Sequence, residues 1–301
     1  MPPQASSRSQ IWMAAARPRT LPAAVAPVVV GTACAHVAGA VAAAPALAAL
    51  AGALLLQLAA NFANDVFDAE RGADGPDRVG PVRAVAAGLI SARAMKLATA
   101  LCVLAALAVG SYLVALRGWP VVGIGVASIL AALAYTGGPW PLAYHGLGDV
   151  FVMLFFGFVA VAGTAYVQLG QVPGLSLYAG FGVGCLATAI LVVNNARDID
   201  TDTRANKRTL AVRLGRRGAW GEYLALLCGA YGTALALAVA RGSLWLLLPL
   251  GSAPLAVARA RQLWSAKDGP AHNRCLAQTA QLMLLYSMLL AAGLVLARAY
   301  Q

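Results

Sequence analysis

Two short stretches hold eight of the eleven acidic residues in this 301-residue chain, and both begin with the pattern Asn-x-Ala-x-Asp. The first runs Asn61-Phe62-Ala63-Asn64-Asp65 and continues through Asp68, Glu70, Asp74 and Asp77. The second runs Asn194-Asn195-Ala196-Arg197-Asp198 and continues through Asp200 and Asp202. If a helical period persists through them, Asn194, Asp198 and Asp202 share one face, and Asn61, Asp65 and Asp68 share another with Asn64 flanking. Carboxylates and amide oxygens are hard ligands suited to Mg²⁺. A basic run follows the second stretch, Arg204, Lys207, Arg208, Arg213, Arg216 and Arg217, while the loop that closes the first, up to Arg83, mixes both charge signs. Cations beside a carboxylate cluster make sense when an anion bridges them, and Mg²⁺ shared between carboxylates and substrate phosphates is such an arrangement.

The elements that must carry these faces are apolar. The chain is 60% hydrophobic and 11% charged, against roughly 25% charged residues in an ordinary globular domain. Apolar runs of about 20 residues recur along its length, and in lipid such runs satisfy their backbone groups as helices. The expectation is an all-α, multi-span membrane bundle with nine spans, at 21–40, 46–64, 95–116, 119–136, 149–169, 177–196, 221–240, 243–258 and 277–297. The eighth is the shortest. Both acidic stretches then stand at the inner ends of spans, the second and the sixth. A charge at mid-bilayer costs roughly 2.5–3.5 kcal/mol on insertion scales, so these groups belong at a helix mouth or in a wet cavity.

The net charge of +11 does not point to nucleic acid, because the basic residues follow topology. With nine spans and the N-terminus inside, nineteen Lys and Arg fall on inner segments and three, Arg117, Arg241 and Arg298, on outer ones. That is a strong positive-inside bias. Residues 1–10 read as a polar lead without a cleavable signal pattern, and Trp12 to Pro22 as a short interfacial helix that breaks before the first span. Cys34, Cys102, Cys185, Cys228 and Cys275 are scattered without a CxxC pair, which indicates neither a disulfide framework nor a zinc site. The inner loop Tyr135 to Asp149 lacks Lys and Arg and is rich in glycine and aromatic residues. It fits either a wall beside a hydrophobic ligand or an aromatic belt at the interface.

Four stretches carry a family resemblance: Ala16-Arg17-Pro18-Arg19-Thr20-Leu21-Pro22, Asn61 through Leu89, Tyr135-Thr136-Gly137-Gly138-Pro139, and Asn194 through Gly215. In them the chain resembles the UbiA superfamily of intramembrane aromatic prenyltransferases. Its flanking sequences are most similar to the branch that prenylates 1,4-dihydroxy-2-naphthoate in menaquinone biosynthesis. The resemblance implies a single domain over 1–301, with helices around a central cavity, in a bacterial inner membrane with the active-site mouth cytoplasmic. It implies a polyprenyl diphosphate donor and a dihydroxynaphthoate acceptor. Mg²⁺ would be held by Asn61, Asn64, Asp65 and Asp68 on one side and by Asn194, Asp198 and Asp202 on the other. Arg71, Arg83, Lys207 and Arg208 would neutralise the remaining diphosphate charge, and Tyr135 would shield an allylic cation with its ring face.

One position departs from the family pattern. The common first motif, NDxxDxxxD, has Gly72 where its last Asp belongs, with Glu70 and Asp74 as nearby substitutes. Other aromatic acceptors, 4-hydroxybenzoate or homogentisate, are the alternatives within the superfamily. A secondary transporter is the alternative outside it, but transporters place ionisable groups near the midplane rather than at the inner mouths of spans.

Overall fold

The computed structural model describes residues 7–39, 41–72 and 79–300. Among these residues the chain is helical with no strand. A short helix, α1 (Arg8–Ala16), leads through a 3₁₀ turn (Pro18–Thr20) into α2 (Pro22–Ala38). Then come α3 (Ala43–Glu70), α4 (Ala92–Arg117), α5 (Trp119–Ala134), α6 (Gly148–Val152), a π-helix (Met153–Val159), α7 (Ala160–Leu169), α8 (Gly174–Arg204) and α9 (Leu210–Arg241). A 3₁₀ stretch (Leu244–Ser252), α10 (Ala253–Ser265) and α11 (Gly269–Ala299) complete it.

Each of the nine expected runs falls on helix, but they are not equal. Six helices are long and apolar enough to cross a membrane, namely α3, α4, the α6–π–α7 rod, α8, α9 and α11. A seventh is reached if α1 and α2, bent by 46° at Leu21, count as one broken span. The α5 helix is shorter, and the eighth run opens as a 3₁₀ helix before α10, so length and apolarity alone stop short of nine.

Three local differences from the sequence expectation have physical causes. The interfacial helix begins at Arg8 rather than Trp12, because Ser7 and Gln10 form a reciprocal capping box. Helices α3 and α8 do not stop where hydrophobicity stops, at 64 and 196. They run on to Glu70 and Arg204, carrying both acidic motifs on their last turns. Helix α9 is broken at Gly215, whose φ of 71° and ψ of 178° lie outside the helical region.

Two main cores hold the described residues, and a third, small cluster of Leu113, Val121 and Val167 joins α4, α5 and α7. The larger joins α2, α7, α8, α9, α10 and α11 around Leu186, Tyr223, Met283 and Tyr286. The smaller joins α1, α3, the start of α4 and the loop before it, around Phe62, Val66, Ile90 and Met95. Trp12 meets Phe62 edge-on at 5.8 Å, so it packs into this smaller core. Small residues allow the tightest crossings, as in membrane bundles generally. A Cβ on Gly184 would stand 2.9 Å from Gly157 Cα, and one on Gly180 would stand 2.8 Å from Gly157 O. The π-helix therefore lies directly on the backbone of α8.

Candidate active site

Each main core delivers one acidic motif, and both motifs are buried. On α8, Arg197 grips Asp198 with two charge-assisted bonds, Nε to Oδ1 at 2.8 Å and Nη2 to Oδ2 at 2.5 Å. The same guanidinium donates to Asn194 Oδ1 at 2.9 Å and to Asn273 Oδ1 on α11 at 2.7 Å. One turn on, Asp202 stands 3.7 Å from Lys207 Nζ. The expected face is therefore present, because the helical period continues through Asn194, Asp198 and Asp202. Arg197 was legible only as one more inner cation. Its place inside the Asn-x-Ala-Arg-Asp word was the signal that ties it to the motif.

On α3, a turn of the following loop closes over the acids. Asp65 accepts from the backbone N–H groups of Ala84 at 3.2 Å and Val85 at 2.9 Å. Its neighbour Asp68 accepts from Arg83 Nη2 at 3.1 Å and from the Tyr144 hydroxyl at 3.2 Å. Three consecutive residues, 83–85, thus hold both carboxylates of the first motif. Asn64 Oδ1 accepts from the Thr136 hydroxyl at 2.8 Å. Asn61 has a different set of partners. Its amide donates to Ala16 O and Thr20 Oγ1, and its oxygen accepts from Gln57, so it ties α3 to the elbow between α1 and α2. At the departing position, Gly72 takes a φ of 70°, a conformation that L residues rarely adopt. Glu70 pairs with Lys96 at 2.6 Å on a part-exposed flank, and Asp74 lies outside the described residues.

The loop Tyr135–Asp149 straps the two motifs together. On the α3 side it contributes Thr136 to Asn64 and Tyr144 to Asp68. On the α8–α9 side, Tyr144 O accepts from the Arg208 backbone N–H at 3.0 Å, and His145 O accepts from Arg213 at 2.8 Å. A glycine is required at 146, where φ is 75° and a Cβ would stand 3.0 Å from Arg208 O. Arg71 donates to Gly138 O and lies 5.4 Å from the centre of the Tyr144 ring, while Lys207 Nζ lies 5.5 Å from it. Tyr144 is thus the point where Asp68, Arg71 and Lys207 meet, and the sequence marked it only as one aromatic residue of an inner loop. Burial, then the charge of Asp68, pushes its phenol above the ordinary tyrosine range. Tyr135, at the end of α5, sets its phenol oxygen against Gly148 at the far end of the same loop. Arg208 is exposed at the rim of this assembly.

The donor set is of a kind that suits a hard cation. Asp65, Asp68, Asp198 and Asp202 are all buried, and each carboxylate oxygen has lone pairs beyond those a single hydrogen bond uses. Among the described residues no three His, Cys, Asp or Glu side chains converge as a ready-made metal cluster. An ion here would complete its shell from a ligand or water, as Mg²⁺ commonly does.

A profile of the UbiA prenyltransferase family matches residues 24–288. The chain belongs to this family. It is similar to the 1,4-dihydroxy-2-naphthoate octaprenyltransferase of Escherichia coli (strain K12), at 41% identity, with 99% of each chain covered. It is also similar in structure to a UbiA homolog from Aeropyrum pernix K1, with a TM-score of 0.69 and 19% identity over 92% of this chain and 97% of that one. A UbiA homolog from Archaeoglobus fulgidus, solved bound to GPP and Mg²⁺, superimposes with a TM-score of 0.64 and 14% identity over 93% and 99% of the two chains. The UbiA fold is thus shared along almost the whole chain, and the protein is a membrane-embedded prenyltransferase.

Proposed function

We propose that this enzyme transfers a polyprenyl group from polyprenyl diphosphate to 1,4-dihydroxy-2-naphthoate with loss of CO₂. The products are diphosphate and demethylmenaquinone in its quinol form. The observation that carries this reading is the similarity to naphthoate prenyltransferases over nearly all of the chain, joined to two buried acidic motifs that meet through one aromatic strap flanked by Arg71 and Lys207.

The chain's own residues divide the work. Asp65 and Asp68 on α3, with Asn64, and Asp198 and Asp202 on α8, with Asn194, would hold Mg²⁺ against the diphosphate. Asn61 belongs to the same set by sequence, and its hydrogen bonds give it the further role of fixing α3 to the N-terminal elbow. When bound, Mg²⁺ neutralises the leaving diphosphate and so eases ionisation of its allylic C–O bond. Arg71 and Lys207 supply fixed positive charge beside the same oxygens, while Arg83 orients Asp68 and Arg208 adds charge at the rim. Tyr135 would offer its ring face to the allylic cation. The electron-rich ring attacks through the carbon that bears the carboxylate. The C–CO₂ bond then returns its electron pair to the ring, so that carbon needs no proton acceptor. The excess of Lys and Arg on inner segments supports a cytoplasmic mouth in a bacterial inner membrane.

The test is prenyl transfer by the membrane-embedded enzyme with dihydroxynaphthoate and a long-chain donor, with Mg²⁺ and with EDTA. Mg²⁺-dependent quinol formation with CO₂ release is expected. Asp65→Ala and Asp198→Ala should each lower turnover by at least about 100-fold, in line with loss of a transition-state electrostatic group, at normal membrane levels. Near-normal activity in both variants would sink the metal assignment. Transfer to 4-hydroxybenzoate or homogentisate alone would move the enzyme to another quinone pathway.

A further inference from the structure

A groove of about 420 Å³ opens between the α6–π segment, α8 and α9, and none of the motif acids lines it. This is within the roughly 300–1,000 Å³ of small-molecule sites. Its walls are apolar, with Met153, Leu154 and Leu226 among them, and Leu154 is exposed at the protein surface. Three polar groups converge in it, Asp149, Thr188 and Glu222. Asp149 and Thr188 are more than nine-tenths buried, yet Asp149 Oδ1 and Thr188 Oγ1 have no hydrogen-bond partner within the protein. Buried polar atoms are rarely left so, and such atoms in a cavity point to a ligand. No lysine or arginine is among the residues that line the groove. The groove also adjoins the reaction centre. Gly148, next to Asp149, lies against Tyr135, where a Cβ would stand 2.9 Å from the phenol oxygen.

We propose that this groove receives the prenylated hydroquinone product, with its O–H groups on Asp149, Thr188 and Glu222 and its tail leaving along Leu154 into lipid. The choice of occupant rests on the dihydroxynaphthoate reading above and on charge. The donor carries a diphosphate and the acceptor a carboxylate, and both anions would meet two acids and no cation. The reaction removes both charges, so the product alone combines an apolar body with neutral hydrogen-bond donors. A π-helix as one wall fits, since these irregular turns widen a helix locally and recur at functional sites.

The experiment measures equilibrium binding of a short-tailed, prenylated 1,4-naphthohydroquinone to the purified protein under reducing conditions. Wild type is compared with Leu226→Trp, which fills the groove, and Thr188→Val, which removes one partner at nearly constant shape. Binding should weaken about tenfold or more in Leu226→Trp and severalfold in Thr188→Val. Single-turnover transfer to dihydroxynaphthoate should stay within twofold, while product inhibition is relieved. Unchanged product affinity in both variants overturns the proposal. An equal loss in the single-turnover step also overturns it, because the groove would then belong to the reaction centre. Wild-type turnover with dihydroxynaphthoate is scored separately. Its absence defeats the functional reading, and the binding comparison still decides the groove.

Discussion

Arg197 is the residue whose removal should cost the fold most. Its guanidinium neutralises Asp198 in a buried pair, and taking one partner from such a pair typically destabilises by about 3–5 kcal/mol. The Arg216–Asp200 pair is a natural control, since both side chains are more than half exposed and pairs of that kind contribute about 0–1 kcal/mol. Arg197→Leu should therefore lower the thermal midpoint in detergent markedly, and Arg216→Leu should leave it almost unchanged. Tyr144 calls for a finer comparison. Phenylalanine there keeps the ring between Arg71 and Lys207 but loses the bond to Asp68, whereas alanine loses both. Cation–π contacts worth about 0.5–2 kcal/mol translate into roughly 2–30-fold. Activity assays should find Tyr144→Phe only a few-fold impaired and Tyr144→Ala more than tenfold. Similar losses in both would assign the effect to the hydroxyl alone. The shared faces of the acidic residues in this candidate site were readable from type and spacing, because period 3.6 fixes which side chains lie together. Tyr144 was not, because its role depends on how a loop without periodicity folds across two helices.

At the level of elements, Gly215 has a function that composition does not reveal. By breaking α9 in a conformation close to glycine-only, it lets Leu210–Leu214 run separately from the membrane-crossing part of the helix. The basic segment from Lys207 to Arg213 can then lie against the strap, with Arg208 and Arg213 bonded to it. Gly215→Ala should cost about 1–3 kcal/mol in strain. It should also weaken the affinity for diphosphate donor more than the affinity for naphthoate, a contrast that separate KM measurements resolve. The helix extensions to Glu70 and Arg204 show why hydrophobicity misjudged where the spans end. Apolar runs mark lipid depth, whereas a helix continues wherever its polar side chains find partners. Here Arg83, the 84–85 backbone and Arg197 provide them.

For the whole molecule, the sequence conveyed the class and the positions of the rods, since both follow from hydropathy and length. How the rods group into two main cores was not legible, because that depends on which faces meet and on contacts such as Gly157 against Gly180 and Gly184. The two main cores are unequal. In the apolar stretches of α3 and α4 only 17% and 11% of residues are buried, against 78% in α8. The α3 and α4 spans therefore leave most of their apolar surface uncovered by protein, while α8 is enclosed by its neighbours. One acidic motif rides on a helix that lipid would surround and the other on a helix held inside the protein, with the 135–149 strap joining them. Hydrophobic mismatch should accordingly tilt α3 and α4 more readily than α8. Turnover in nanodiscs should pass through an optimum as acyl length changes, because tilting α3 would shift its motif against the one on α8. An enzyme built this way is tuned by the same membrane that dissolves its substrate and its product.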